Sequence, residues 1–146
     1  MKDRRGVSQA PEGTSGRPTE GKIMAIAAYR LVALDCPDPP VLAEFYAGVL
    51  GGEVKQYDDD WYDLYVPGGH RISFQRVPDH RPPNWPRADE NSQQLHLDFT
   101  VQDIEAAEPR LLALGATPLD LDDKGGTRGW RVYADPAGHP LCLCWD

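Results

Sequence analysis

Residues 95–103, with the sequence Leu-His-Leu-Asp-Phe-Thr-Val-Gln-Asp, follow the same plan as residues 30–38, Arg-Leu-Val-Ala-Leu-Asp-Cys-Pro-Asp. Each stretch is an apolar-rich strand pattern that ends in an aspartate, and a helical pattern of apolar residues comes next. Asp38 and Asp103 occupy the position where a side-chain oxygen can cap the free N–H groups of a helix start. Each predicted helix ends in a Leu-Gly pair, because glycine permits the left-handed backbone that closes a helix. The chain therefore contains two copies of one strand–helix unit.

Three short extended segments follow each helix, and turn residues separate them. The turn Asp-Pro-Ala-Gly-His at 135–139 matches Val-Pro-Gly-Gly-His at 66–70 position for position, which supports an internal repeat. Together these patterns predict an α+β fold of two tandem βαβββ modules, whose curled mixed sheets form a shared cleft. The predicted strands lie at 26–36, 53–57, 61–66 and 71–77 in the first copy, and at 95–101, 117–121, 129–133 and 140–145 in the second.

The length of 146 residues suits a single compact domain at 25–146. Residues 1–24 have almost no apolar side chains to bury, so we expect a disordered tail. Module one should span 25–77 and module two 95–146. The segment 78–94 between them has four prolines and neither helical nor strand periodicity, which predicts a long linker bordering a binding site.

The charge and the cysteine content restrict the kind of partner. A net charge of -8 would repel nucleic acid phosphates and anionic membranes, so neither is an expected partner. The sequence shows neither a membrane-spanning apolar run nor the apolar core of a secretion signal, which favours a cytoplasmic location. The three cysteines, Cys36, Cys142 and Cys144, are an odd number and predict reduced thiols.

The chain resembles the vicinal oxygen chelate superfamily, which includes glyoxalase I, extradiol dioxygenases, fosfomycin-modifying enzymes and bleomycin-resistance proteins. Within it, the chain is most similar to the glyoxalase-like subgroup, through Phe74-Gln75-Arg76-Val77, Trp85-Pro86 and Leu95-His96-Leu97-Asp98. The resemblance covers residues 26–146 and implies a homodimer. The residues that carry it are Asp38 with Phe45-Tyr46 and Val49-Leu50-Gly51, His96 with Val101-Gln102-Asp103 and Leu114-Gly115, and Asp135-Pro136-Ala137-Gly138.

The resemblance also implies where a metal would bind, because metal-dependent members place His, Gln and Glu ligands on the first and last strand of each module. The corresponding positions in this chain are Leu31, Ser73, His96 and Cys142. Leu31 cannot coordinate a metal, and the glutamates are missing. A divalent ion could still be held by His96, Gln75 and Cys142, since imidazole and thiolate suit zinc. The favoured interpretation is nevertheless a protein without a metal cofactor.

Strand alternation places the candidate site residues on one face, because every second side chain points the same way. Ser73 shares a face with Gln75, and His96 shares one with Asp98. Our first hypothesis is a metal-free cleft that binds a small molecule. The residues predicted to contact that molecule are Ser73, Gln75, Trp61, Trp85 and Trp130.

Two enzyme hypotheses remain open. In the first, a metal-dependent lyase, isomerase or dioxygenase uses His96 as a metal ligand and Asp98 as a proton carrier. In the second, His96 and Asp98 form a metal-free acid–base pair. Each candidate also has a purely structural interpretation: His96 can pair with Asp98 as a structural hydrogen bond, Cys142 can be a small core residue, and Trp61 can pack in the core.

Overall fold

The computed structural model describes residues 23–87 and 89–146, so the tail predicted at 1–24 lies almost entirely outside the described residues. The element order is βαβββ twice, which confirms the predicted α+β fold of two tandem modules. In chain order the elements are β1 Val32–Cys36, α1 Pro39–Leu50, β2 Glu53–Gln56, β3 Trp61–Val66, β4 His70–Arg76, β5 Leu97–Thr100, α2 Ile104–Ala113, β6 Thr117–Asp120, β7 Trp130–Ala134 and β8 Pro140–Cys144.

Each module forms a four-stranded mixed sheet, with the orders β1-β4-β3-β2 and β5-β8-β7-β6. The first strand of each module runs parallel to the last, and the other neighbours are antiparallel. Ala33 lies opposite Ser73 in one sheet, and Asp98 lies opposite Cys142 in the other. Leu31 and His96 each stand two residues before the first member of these pairs. The strand register therefore agrees with the repeat alignment made from the sequence.

Strand β1 is shorter than predicted, because it begins at Val32 and not near Ile26. Val32 lies opposite Ile72, so residues before Val32 would lie opposite the start of β4 and the turn that precedes it. The apolar residues 26–29 would lie opposite the turn before β4, where they have no partner strand with which to form a ladder. Ile26 and Tyr29 are exposed accordingly.

The two helix starts differ in their caps. Asp103 accepts hydrogen bonds from the backbone N–H groups of Glu105 and Ala106, as predicted. Asp38 makes no side-chain cap, so that part of the prediction was wrong. A capping side chain accepts from the N–H groups of the second and third helical residues, and the second here is Pro40, which has no N–H to donate.

One core joins both modules, because the helix-facing sides of the two sheets meet around α1. Tyr46 of α1 is fully buried; its ring stacks on Phe74 at 5.8 Å and meets the edge of Phe99 in module two at 6.1 Å. The buried cluster contains Leu34, Cys36, Leu42, Ala43, Phe45, Tyr46, Leu64, Ile72 and Phe74 from module one, and Leu111, Ala116, Tyr133, Ala137, Leu141 and Leu143 from module two.

A buried hydrogen bond also connects the modules. The Tyr46 hydroxyl donates to Asp135 Oδ2 at 2.6 Å, and Asp135 is only 3% exposed. The other oxygen of Asp135 accepts from the backbone N–H groups of Ala137 and His139. Burial raises the pKa of Asp135, and the hydrogen bond from Tyr46 opposes that rise. This aspartate therefore holds both its own turn and the contact with α1.

The segment between β4 and β5 forms neither helix nor strand in its described residues. His80 Nε2 lies 2.9 Å from the backbone oxygen of Ala137, and His139 Nε2 lies 2.6 Å from the backbone oxygen of Asp35. The two imidazole rings are 5.2 Å apart. These contacts fasten the segment and the β7–β8 turn to the edge of β1. Among the described residues, no helix is long and apolar enough to span a bilayer.

Candidate functional site

Each sheet has one face against the helices and a second face, here called the open face, directed away from them. Alternation along the strands decides which residues lie on each face. Leu64 and Ile72 point into the core, so their neighbours Asp63 and Ser73 belong to the open face of module one. In module two, Leu141 and Leu143 point into the core, which leaves Cys142 on the open face.

A buried carboxylate lies at the centre of the module-one open face. Asp63 is 8% exposed, and its Oδ1 accepts hydrogen bonds from Ser73 Oγ at 2.5 Å and Trp61 Nε1 at 2.9 Å. Ser73 is fully buried and stands opposite Asp63 in the β3–β4 register. Among the described residues Oδ2 of Asp63 has no hydrogen-bond partner. The carboxylate is therefore held by one oxygen and leaves the other for a ligand.

Sequence reasoning identified Trp61 and Ser73 but missed Asp63. The available signal was the alternation in Trp-Tyr-Asp-Leu-Tyr-Val at 61–66, which puts Asp63 on the same side as Trp61. What the pattern could not show is that a serine ten residues later would lie opposite this aspartate.

An open cavity of about 620 Å³ covers this face. Arg71 donates from Nη1 to the Tyr65 hydroxyl at 3.2 Å, and its guanidinium lies 5.5 Å from the centre of the Tyr65 ring. Three aromatic side chains and four charged side chains surround this cavity. The cavity is lined by Arg30, Leu31, Tyr57, Asp58, Trp61, Asp63, Tyr65 and Arg71.

A second group of polar side chains lies on module two. One potential ligand atom from each of His96, Asp98 and Cys142 lies within 4.8 Å of the others. His96 Nε2 is 3.3 Å from Asp98 Oδ1, so the predicted pairing of these two residues is present. Cys142 is buried, and burial, together with the Asp98 carboxylate, raises the pKa of its thiol to about 12.

The residues at the superfamily's metal positions do not fit a metal site shared by the two modules. Leu31 has no donor atom, and the Ser73 hydroxyl is buried and committed to Asp63. Of the predicted set of His96, Gln75 and Cys142, the first and the last are neighbours. Gln75 stands on module one opposite Trp61, and its place in the set stays a prediction. The third residue near the pair is Asp98, which sequence reasoning had considered as a proton carrier.

The three predicted tryptophans lie in different surroundings. Trp61 lines the module-one cavity and donates to Asp63. Trp130 stands opposite Cys144 on module two, is 45% exposed and has the guanidinium of Arg128 5.2 Å from its ring. Trp85 is half-buried in the segment between the modules and does not line the module-one cavity. Their roles in ligand binding stay predictions.

Comparison with known proteins agrees with this architecture. The family described as a glyoxalase-like domain matches residues 31–144. Among solved structures, a glyoxalase family protein from Enterococcus faecalis is 26% identical, with a TM-score of 0.58 over 83% of this chain and 99% of that chain. The fosfomycin resistance protein FosX from Listeria monocytogenes is 14% identical, with a TM-score of 0.64 over 84% of this chain and 93% of that chain.

A glyoxylase/bleomycin resistance protein/dioxygenase domain from Frankia is 17% identical, with a TM-score of 0.55 over 83% of this chain and 93% of that chain. No curated protein sequence matches the chain. The structural likenesses below 25% identity show the fold alone, whereas the family match covers most of the sequence. The chain therefore belongs to the glyoxalase-like domain family of the vicinal oxygen chelate superfamily.

Proposed function

We propose that this protein binds a small organic molecule on the open face of module one, and does so without the superfamily's two-module metal site. The observation that carries the proposal is Asp63: a nearly buried carboxylate, fixed through one oxygen, at the floor of a cavity with aromatic walls. The solved structures that share the fold include fosfomycin resistance proteins.

The composition of the cavity supports a small-molecule ligand. Binding pockets combine apolar and aromatic walls with a few fixed polar groups that orient the ligand. Tyr57, Trp61 and Tyr65 supply flat surfaces, and Asp63 supplies the fixed polar group. The volume of about 620 Å³ lies within the range of pockets that hold drug-sized molecules.

A thermal-shift screen with aromatic and cationic compounds tests the proposal. A compound present at about 100 times its Kd stabilises the folded state by roughly 2.7 kcal/mol, which for a chain of this size raises Tm by about 5–10 °C. Trp61→Ala should lower the affinity of a compound found in this way by about tenfold, because one wall is lost. Trp145→Ala is the matched control, since Trp145 does not line this cavity. A screen without any stabilising compound would reject the proposal.

The second candidate is a metal-dependent enzyme, and the grouping of His96, Asp98 and Cys142 favours it. Imidazole, carboxylate and thiolate together suit zinc, so these three residues would hold the ion. A zinc ion there would supply Lewis-acid polarisation of a substrate oxygen. His96 and Asp98 are exposed and so can also contact a ligand directly, whether or not an ion is bound.

Zinc affinity at this group should depend strongly on pH. A thiolate ligand is needed, and the pKa of Cys142 near 12 means that each binding event must release the thiol proton at neutral pH. The affinity should therefore rise about tenfold per pH unit between pH 7 and 9, measured by competition with a chromophoric chelator. Cys142→Ala should abolish the pH dependence, His96→Ala should lower the zinc affinity at every pH, and Cys144→Ala should retain both the affinity and its pH dependence. An affinity that does not change with pH would exclude Cys142 as a ligand.

A further inference from the structure

The module-one cavity separates opposite charges across an aromatic surface. On the basis of the proposed function, we propose that its ligand is dipolar: a flat organic molecule with a protonated amine at one end and an acid group at the other. Arg30 and Arg71 contribute two positive charges to the lining, and Asp58 and Asp63 contribute two negative ones. A ligand with both charges complements such a lining better than a ligand with either charge alone.

The amine end is assigned to Asp63. Its Oδ1 is occupied by Ser73 and Trp61, while its Oδ2 has no partner among the described residues. Among the described residues Gln93 Oε1 is the only buried side-chain oxygen without a partner, so Asp63 Oδ2 is accessible from the cavity. An ammonium group can donate to Oδ2 and supply a charge-assisted bond, which is stronger than a bond from a neutral donor.

The acid end is assigned to Arg71. This residue pairs with Tyr65 in the register, two positions along the strand from the pair of Asp63 and Ser73. Two residues along a strand span about 7 Å, so these two cross-strand pairs, here called the two charged rows, are separated by roughly that distance. One guanidinium nitrogen donates to the Tyr65 hydroxyl, which leaves other N–H donors of Arg71 for a carboxylate.

A further cation lies near Tyr65 but does not line the cavity. Lys55 Nζ is 5.0 Å from the centre of the Tyr65 ring and 3.9 Å from Glu53 Oε2. Arg30 lines the cavity. Asp58 lies on the side of Trp61, where its Oδ1 accepts from the backbone N–H of Asp60. Among the lining residues, Arg71 therefore lies beside Tyr65, whereas Asp58 and Asp63 are hydrogen-bonded to Trp61.

Flat aromatic walls connect the two ends. Trp61 and Tyr65 stand on the open face of β3, two positions on either side of Asp63, and Tyr57 follows the end of β2. Aromatic faces of this kind stack on flat ring systems. A benzene ring with para substituents spans a distance comparable to the separation of the two charged rows. An aryl amino acid with its charges on opposite sides of the ring meets all three requirements.

Isothermal titration with four related compounds tests this inference: 4-(aminomethyl)benzoate, benzylamine, benzoate and benzyl alcohol. The dipolar compound should bind at least tenfold more tightly than the best of the other three. Asp63→Asn keeps the Oδ1 acceptor for Ser73 and Trp61 but replaces Oδ2 by an amide, so it should remove the preference for 4-(aminomethyl)benzoate over benzoate. Arg71→Gln should remove its preference over benzylamine.

Matched controls lie in module two, where Asp122 and Lys124 form an exposed ion pair at 3.1 Å. Asp122→Asn and Lys124→Gln make the same two chemical changes and should leave all four affinities unchanged. Equal binding of the four compounds to the native protein would overturn the dipolar assignment while leaving small-molecule binding intact. The dipolar assignment also fails if none of the four binds but the wider screen finds other ligands. Failure of both the series and the screen would overturn the proposed function as well.

Discussion

Asp135→Ala is expected to lower the free energy of unfolding by about 3 kcal/mol. The substitution leaves three donors without their acceptor: the buried hydroxyl of Tyr46 and the backbone N–H groups of Ala137 and His139. Each unsatisfied buried group costs about 1–3 kcal/mol, and the turn amides regain part of that cost from water. For a chain of 146 residues, Tm should fall by roughly 6–12 °C, measured by calorimetry or circular dichroism.

Two further variants distinguish the contribution of the β7–β8 turn to stability from the contribution of the contact between the modules. Tyr46→Phe removes only the hydroxyl donor and should cost about 1–3 kcal/mol, because Asp135 Oδ2 stays buried without a partner. Asp135→Asn keeps one acceptor oxygen for the turn and should also be milder than alanine. If Asp135→Ala unfolds at the same temperature as the native protein, the aspartate does not hold the modules together as described.

Truncating a side chain of the shared core should lower the free energy of unfolding by a similar amount whether that side chain belongs to module one or to module two. Phe74→Ala is expected to cost about 3–5 kcal/mol and Leu141→Ala about 2–5 kcal/mol, since both side chains are fully buried in one cluster. Because that cluster joins both modules, each variant should shift a single unfolding transition. Denaturant titration followed by tryptophan fluorescence and by far-ultraviolet circular dichroism measures whether the two signals change together.

The exposed residue Val41 offers a control for these core truncations, since Val41→Ala removes methyl groups at a position that is 52% exposed. We expect a change within about 0.5 kcal/mol there. Two separate transitions, of which only the one belonging to the altered module moves, would contradict a core shared by the modules.

The sequence was sufficient for the architecture because the fold depends on local patterns that occur twice. Strand alternation, the helix ending at Gly51 with a positive φ of 72° and the repeated turns all act within a few residues of the chain. The two errors, the Asp38 cap and the length of β1, arose where adjacent residues prevented what the local pattern predicted. The Asp38 side chain has no N–H of Pro40 to accept from, and the apolar run at 26–29 has no partner strand.

The candidate site was less predictable, because its contacts join residues that are distant in sequence. Asp63 and Ser73 meet only through the β3–β4 register, and Asp98 meets Cys142 across 44 residues. The family's pattern directed attention to His96 and Cys142, which are neighbours. It gave no indication of Asp63, because that position is not one of the superfamily's metal positions. The hydrogen bond between Tyr46 and Asp135, which are 89 residues apart, could not be predicted from the sequence either.

The most direct test of the central claim is the indole N–H region of a ¹⁵N-labelled protein during titration with a compound from the screen. The four tryptophans give four indole signals, and the spectrum of Trp61→Phe identifies the one from Trp61. Since Trp61 Nε1 donates to Asp63 at the floor of the cavity, its signal should move in a saturable way at the same Kd that calorimetry measures. A saturating compound that moves other indole signals and leaves the Trp61 signal in place would contradict binding on the open face of module one.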